Sequence, residues 1–446
     1  MNMKRRDFLK TGAMAGVGAG ITILNFPVFG KNAPSNKIVI GVMGVNSRGN
    51  WVAQVASKLP GAEIGFICDV EDGAVQKGLK AVSTQARKPE VIKDIRELLA
   101  RKDVDSIMIA APDHWHAPAA IMACAAGKHV YVEKPLSHNP QEGEWLIDAS
   151  RKYNRPVQMG NQRRSWPNMQ QAAKEVLEEG IIGRVYYARG WYANDRKPIG
   201  TGKKVAVPAT LDWDLWQGPA PHTDYLDNIV HYNWHWRWVW GTGEACNNGT
   251  HEIDCMRWFM GVEYPIKVTS SGGRFAYSGD DWETPDTQSI TFEFEGNRAI
   301  TWEGRSCNPY KLEGSGRGFA VFGENGALYC DGGDSYRVLD NKGKVVKEVK
   351  QNTTANQEST NVVSPAGEFL DAVHINNWLQ NIRGQAKLNS EITEGHKSVL
   401  LCQLGNISQR TGDILHTDSK NGHILQNEEA AQLWGRSYEG GWQPKV

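Results

Sequence analysis

From Lys37 to Met159 short apolar runs alternate with stretches of helical period. Lys37–Met43, Glu63–Cys68, Ser106–Ala110, the run from Val130 and Pro156–Met159 are rich in strand formers and end in turn signals. Asn50–Lys58, Ala74–Ala86, Asp94–Leu99 and Pro118–Ala126 lie between them and carry apolar residues at helical spacing. Strand and helix alternating in this way predict a parallel, doubly wound sheet. Beyond a helix at Met169–Glu179 and a strand at Arg184–Trp191 the period changes. Ile266–Ser271, Thr287–Phe294, Ala299–Arg305, Gly318–Phe322 and Ala327–Cys330 alternate apolar and polar positions between Gly/Asn turns, which predicts an open antiparallel sheet with helices on one face. Asn194–Tyr232 has little period, so it is expected as a long site-shaping loop. Lys342–Thr360 is polar and expected to be mobile, and two amphipathic helices near Gly367–Arg383 and Glu394–Thr411 should pack back on the body.

The polar residues that follow the strands carry the chemistry. After the first strand, Gly44-Val45-Asn46-Ser47-Arg48-Gly49 follows the G-x-G-x-x-G template with Asn46 in the second glycine place. Gly44 suits the tight turn, Gly49 the close packing of helix on strand, and the helix start offers N–H donors to a pyrophosphate. Asp69 ends the second strand, where a carboxylate would grip ribose hydroxyls and repel a 2′-phosphate, so NAD is favoured over NADP. The next strand ends in the expected loop Ala111-Pro112-Asp113-His114-Trp115-His116, and the next in Glu133-Lys134-Pro135. Pro135 stops the strand, leaving Lys134 at the ligand-binding edge of the sheet. It could serve there as a donor or proton relay, or be a solvated loop lysine. Gly160-Asn161-Gln162-Arg163-Arg164 adds a polar cluster at the same edge. His114-x-His116 has metal-ligand spacing, but no third ligand cluster lies nearby, so no metal is expected.

In the second half, Trp234-His235-Trp236-Arg237-Trp238-Val239-Trp240 places tryptophan at every second position. In an extended segment the rings would share one face, with His235 and Arg237 opposite. Sugar stacking and a buried face are both open readings. Gly249 precedes a helix with Ile253, Met256 and Phe259 at helical spacing, and Asn247 and His251 stand four apart at its mouth.

Fifty Lys+Arg balance fifty Asp+Glu, so no electrostatic argument points to nucleic acid. Lys4-Arg5-Arg6-Asp7-Phe8-Leu9 followed by an apolar Gly/Ala-rich run reads as a twin-arginine (Tat) signal over 1–30, cut after Gly30. The run is too short and interrupted to span a bilayer, and no Cys follows it to carry a lipid anchor. A periplasmic or otherwise extracytoplasmic protein with no membrane anchor is expected. The seven cysteines show no CxxC pair and are expected as buried free thiols.

Taken together, the glycine turn, Asp69, the Pro112–His116 loop, Glu133-Lys134-Pro135 and Gly160-Asn161-Gln162 resemble the Gfo/Idh/MocA oxidoreductase family. The resemblance covers most of the chain after residue 30. It implies a Rossmann domain over 36–160 and a C-terminal α+β substrate and oligomerisation domain over 161–446. It also implies that Lys134 contacts both NAD and a substrate hydroxyl, with Pro112, Asp113, His116 and Glu133 lining the nicotinamide side. Ser47, Arg48, Asn161 and Gln162 complete the expected cofactor set, and Arg163, Trp234, His235, Arg237 and Asp254 the expected substrate set. Family members commonly carry Asp-x-Gly-x-His-x-x-Asp where this chain has Asn247 to Asp254, with the histidine as general base. His251 and Asp254 match, but Asn247 replaces the first aspartate and should orient His251 by hydrogen bonding alone. The implied activity is hydride transfer from a carbinol of a sugar, glycoside or polyol to a tightly held, recycled NAD, in a homo-oligomer paired through the far face of the second sheet. The alternative is a redox-neutral glycosidase that oxidises, eliminates and re-reduces; relatives of that kind carry a different sequence in place of Glu-Lys-Pro. A third reading is a non-catalytic sugar-binding protein, against which Lys134 and His251 argue.

Overall fold

The computed structural model describes residues 37–351 and 365–446. The expected export signal and the end of the polar stretch after 351 lie outside the described residues. The first sheet has six parallel strands: β1 (Ile38–Met43), β2 (Ala62–Cys68), β3 (Glu90–Ile92), β4 (Ser106–Ile109), β5 (His129–Val132) and β6 (Val157–Met159). Their order is β3-β2-β1-β4-β5-β6, with Met43 paired to both Cys68 and Ile109. The order reverses between β1 and β4, which opens a crevice at the carboxyl ends of the strands. Helices α1 (Arg48–Ser57), α2 (Asp72–Ala81), α3 (Ile95–Ala100), α4 (Asp113–Ala125) and α5 (Pro140–Lys152) connect the strands.

Two of these helices depart from expectation for identifiable reasons. Helix α2 stops at Ala81 because Gln85 is turned back on the part of β2 that β3 does not reach, where its amide bonds both the N–H (3.1 Å) and the C=O (2.6 Å) of Ile64. Helix α4 starts five residues early, so the expected loop from Asp113 to His116 is its first turn. Pro118 inside it cannot donate to the carbonyl of His114. That carbonyl instead accepts from Arg436 Nη2 at 2.6 Å, so the tail of the chain satisfies the vacancy.

The second part continues with α6 (Pro167–Leu177), β7 (Val185–Ala193), the short α7 (Trp213–Gln217) and α8 (Thr250–Met260). Strands β8 (Lys267–Gly273), β9 (Thr287–Phe294), β10 (Arg298–Arg305), β11 (Arg317–Gly323), β12 (Gly326–Cys330), β13 (Tyr336–Asp340) and β14 (Val345–Val349) follow. Then come α9 (Pro365–Ile382), α10 (Ile392–Thr411), β15 (Leu415–Thr417), β16 (Ile424–Leu425) and α11 (Glu428–Gln432). The strands form one sheet in the order β14-β13-β12-β11-β7-β10-β9-β8-β15-β16, antiparallel except for the β7–β10 pair. Ile253, Met256 and Phe259 of α8 pack on Ile300, Trp302 and Phe319 in its core. Gly190 permits this approach, since a Cβ there would lie 2.7 Å from Met256 Cε. In place of a mobile segment, residues 345–349 form β14 on β13.

Ile375, Trp378 and Leu379 of α9 join the core beneath Ile40, Val52 and Tyr131, so this late helix completes the first sheet's layer. The long stretch between β7 and α8 is fastened to the first sheet's edge. Asp212 N–H donates to Val70 O and Asp72 N–H to Thr210 O, both at 3.0 Å, and His114 N–H to Trp240 O at 3.1 Å. Trp213 stacks on Trp216 at 4.8 Å between ring centroids, and both meet Trp240 edge-on. Trp234–Trp240 is not an extended segment. Asn233–Trp236 is a 3₁₀ turn that sends the rings in different directions, with Trp236 buried on Trp282 at 4.2 Å and Trp238 beneath Arg410. No helix among the described residues is long and apolar enough to cross a membrane. All seven cysteines are free thiols, and six are buried.

Candidate active site

A single cleft runs along the carboxyl ends of β1, β2, β4 and β5 and is walled on the far side by residues of the second part of the chain. Gly44, Asn46, Ser47, Arg48, Asp69, Pro112, Asp113, His116, Glu133, Lys134, Gln162 and Arg163 line it, as do Trp234, His235, Asn247 and His251.

At the adenosine end the backbone is shaped for a phosphate-bearing ligand. Gly44 has φ +81°, and a Cβ there would lie 2.6 Å from the Ala111 backbone; a Cβ on Gly49 would lie 1.7 Å from Gly44 O. These contacts keep the turn and the start of α1 tight against β4. Asp69 accepts from Val45 N–H at 2.7 Å and Glu71 N–H at 3.1 Å, which fixes its carboxylate at the tip of β2. Burial raises the Asp69 carboxyl above its usual range against these donors. The amide oxygen of Asn46 accepts from Lys77 Nζ at 2.6 Å. The glycine cradle, the helix start and the carboxylate fit a dinucleotide.

At the other end Arg48 ties the cleft floor together. Its Nε donates to Glu133 Oε1 at 2.8 Å and its two Nη atoms to Asp371 at 2.7 and 2.9 Å, while Trp51 Nε1 also reaches Asp371 at 2.8 Å. His116 presents its ring nitrogens to Pro135 O and Ala111 O at 2.6 and 2.7 Å. Asp113 accepts from Thr242 Oγ1 at 2.5 Å, and burial raises its carboxyl. Lys134 Nζ donates to Asn247 O at 2.6 Å and to its Oδ1 at 3.2 Å. Burial draws the Lys134 ammonium below lysine's ordinary range, opposed by Glu133 and Asp113. His251 shares this wall, and no described residue hydrogen-bonds its ring. Burial, followed by Lys134, Arg317 and Arg163, holds the imidazole well below histidine's ordinary pKa. A neutral imidazole beside an ammonium can accept a proton from a hydroxyl that the ammonium polarises.

Four expected residues fall outside the cleft lining. Arg237 is buried against Asp281 at 2.6 Å and Asn228 at 3.0 Å, because the 3₁₀ turn swings it away. Asp254 is one turn into α8, buried between Arg164 at 2.7 Å and Ser398 at 2.6 Å. Asn161 is buried beside the 3₁₀ turn Gln162–Ser165, and Gly49 is buried in packing. The sequence reading missed Arg317, Tyr232, Trp216 and Asp371, all of which line the cleft. Arg317 and Arg163 grip the same Glu252 Oε1 at 2.8 and 3.1 Å, 65 and 89 residues apart from it respectively in the chain, a pairing with no local sequence signal.

The cleft therefore pairs a dinucleotide cradle with a Lys/His wall, and comparison with known families decides what the pairing is. The Gfo/Idh/MocA model for an oxidoreductase family with an NAD-binding Rossmann fold matches residues 38–161, and that family's C-terminal alpha/beta domain matches residues 204–423. The chain belongs to the Gfo/Idh/MocA oxidoreductase family. A glycosyl hydrolase family 109 protein of Saccharopolyspora erythraea is 31% identical over 254 residues, 50% of this chain and 55% of that protein. An alpha-N-acetylgalactosaminidase of Shewanella oneidensis is 29% identical over 217 residues, 44% of this chain and 47% of that protein. The chain thus spans about half the length of these two relatives. Among solved structures, the WlbA dehydrogenase of Bordetella pertussis in complex with NADH and UDP-GlcNAcA has a TM-score of 0.62 at 18% identity, covering 86% of this chain and 99% of that one. An Agrobacterium radiobacter oxidoreductase in complex with NAD+, L-tartaric acid and magnesium has a TM-score of 0.61 at 14% identity, covering 85% and 98%. These two share the fold of this Gfo/Idh/MocA chain, including its Rossmann cofactor domain.

Proposed function

We propose that this protein oxidises a carbinol of a sugar, glycoside or polyol, with NAD as the hydride acceptor. The observation that carries the reading is Lys134 Nζ, fixed on Asn247 O at 2.6 Å, on the wall it shares with the imidazole of His251, to which no described residue hydrogen-bonds. NAD, when bound, supplies the redox chemistry. Gly44, Ser47 and Arg48 would meet its phosphates, Asp69 its adenosine ribose, and Pro112, Asp113, His116 and Glu133 its nicotinamide side. A substrate hydroxyl placed between Lys134 and His251 gives its proton to the imidazole while its C–H electron pair leaves, and a ketone remains. Lys134 stabilises the oxygen as negative charge develops. Arg163, Trp234 and His235 would hold the rest of the sugar. Residues 36–160 serve as the cofactor domain and 161–446 as the substrate domain in this scheme.

The twin-arginine segment supports export to an extracytoplasmic space, where no free nicotinamide pool is expected. NAD would then be loaded before export, held through turnover and recycled in place. A homo-oligomer paired on the far face of the large sheet, where Trp191, Ala320 and Tyr329 cluster, completes the reading.

A second reading is supported by the named glycosidases among the relatives. Oxidation of a ring carbinol makes the neighbouring C–H acidic; elimination of the aglycone, addition of water to the enone and re-reduction would then use the same Lys/His wall. Purified NAD-loaded protein incubated with a chromogenic glycoside separates the two. Growth of the reduced-nicotinamide band without aglycone release supports net oxidation, and catalytic release with no net redox change supports the glycosidase. Neither signal with any glycoside, sugar or polyol overturns both.

A further inference from the structure

The acceptor that holds Lys134 is itself held from behind. An amide has a donor end and an acceptor end of nearly equal shape, so partners decide which way it faces. Asn247 turns Oδ1 to Lys134 Nζ at 3.2 Å and Nδ2 to Glu244 Oε1 at 3.4 Å. Asn248 Nδ2 donates to the same carboxylate oxygen at 2.5 Å. Glu244 Oε2 accepts from Arg196 Nε at 2.7 Å and Ser306 Oγ at 2.9 Å. Glu244 does not line the cleft and is 3% exposed. Both of its oxygens face donors, and only an ionised carboxylate accepts from all of them. Burial opposes that charge, but Arg196 together with the hydrogen bonds from Asn248 and Ser306 outweighs it and keeps the carboxyl below its usual range. The geometry has a local cause: Ala245–Gly249 is a π-turn feeding α8, and residues 247 and 248 stand three and four positions after Glu244 on it.

We infer that Glu244 is a positioning carboxylate of the site, fixing the amide of Asn247 so that Lys134 meets its side-chain oxygen at 3.2 Å as well as its backbone carbonyl at 2.6 Å. A flipped amide would set N–H groups against the ammonium and oxygen against the carboxylate, two repulsive contacts in a buried setting. The arrangement also gives a reason for asparagine at 247, since aspartate there would face Glu244 across the 3.4 Å contact with no proton between them. Beside Glu133 and Asp113, which act on the ammonium directly, a further negative charge is therefore placed at 244 and transmitted to Lys134 through a neutral amide. Arg196 carries the network to the cleft rim, because its Nη1 donates to Tyr232 Oη at 2.7 Å. Glu244 never touches substrate in this account. Its catalytic consequence rests on the function proposed for Lys134, whereas its control of the Lys134 ammonium does not.

The test separates the two. In the NAD-loaded full-length protein, Lys134 is labelled with acetic anhydride across pH and its modification followed by mass spectrometry of the peptide. Glu244→Gln is expected to lower the Lys134 labelling midpoint by about one pH unit. It should also slow first-turnover growth of the reduced-nicotinamide band 10- to 100-fold, with KM and NAD content unchanged. Asn247→Asp in the Glu244→Gln background returns the charge to the site and should restore both readouts. If Glu244→Gln does not fold, Glu244→Gln/Arg196→Met removes the charge together with its buried partner and is read in the same way. A labelling midpoint that stays at the wild-type value, with or without slower turnover, makes Glu244 merely structural and overturns the inference. A shifted midpoint in a protein that turns over no carbinol supports the positioning role and overturns the proposed function instead.

Discussion

Replacing Lys134 by methionine keeps the length of the side chain and removes the ammonium. Two of its three N–H groups are spent on Asn247, at 2.6 and 3.2 Å, leaving one for a substrate oxygen. A positioned proton donor or acceptor contributes about 10²- to 10⁴-fold. The variant should therefore lose roughly 3–5 kcal/mol of transition-state stabilisation, at about 1.4 kcal/mol per tenfold. Dinucleotide contacts spread over Gly44 to Asp69 are untouched, so NAD content should match wild type. The pH profile gives an independent check. His251 accepts a proton only when neutral, so the rate falls as pH drops through a pKa held below the ordinary 6.5 by burial and then by Lys134, Arg317 and Arg163. The base limb follows loss of the Lys134 proton, at a pH that burial brings below the ordinary 10.5. Lys134→Met should abolish the base limb and move the acid limb upward, because a cation beside His251 is gone. Stopped-flow absorbance of the first turnover, with NAD measured after denaturation, reads all of this. A variant within threefold of wild type, or one slowed with its acid limb unmoved, would refute the assignment.

Three further outcomes test the frame around the site. His374 is buried between Ser165 Oγ and Met159 O, and burial pushes its pKa down from 6.5 to about 4. The unfolded chain then binds the extra proton between these values, so stability is full above pH 6.5 and falls as pH drops towards 4, by about 2 kcal/mol at pH 5. Urea midpoints should fall over that range, and His374→Gln should flatten the slope. Asp371→Asn leaves Arg48 without its bidentate partner and should cost about 2–4 kcal/mol in chemical denaturation while weakening NAD retention. Arg436→Ala uncovers the His114 carbonyl left free by Pro118 and should cost about 1–3 kcal/mol, read as a lowered Tm.

The first sheet and its edge loops could be read from sequence because each signal is local: an apolar strand, a glycine turn, a carboxylate at the next strand's tip. The position of Lys134 and His251 on the cleft was legible in the same way, since Glu-Lys-Pro ends a strand and Gly249 precedes a helix. Distance in the chain hid the rest. Asp371 reaches Arg48 across 323 residues, and Arg317 reaches Glu252 across 65. Strand β14 was missed because Val345 to Val349 lie at a sheet edge with no buried face to impose alternation. The tryptophan repeat misled for the opposite reason. Its period of two is real, but the chain turns within it, so periodicity described no shared face and Arg237 was placed in the wrong surroundings. Asp254 matched a motif, yet α8 carries it past the cleft into an ion pair with Arg164.

Both catalytic readings share one event, transfer of hydride from a substrate carbon to the bound nicotinamide, and isotope transfer tests it most directly. The protein as purified, loaded with NAD, is mixed with a panel of glycosides deuterated on their ring carbons and quenched within the first turnover, before any re-reduction of substrate, and the nicotinamide freed by denaturation is weighed by mass spectrometry. One deuterium is expected in the reduced cofactor, lost in Lys134→Met. Nicotinamide that stays unlabelled while the glycoside is consumed would contradict it.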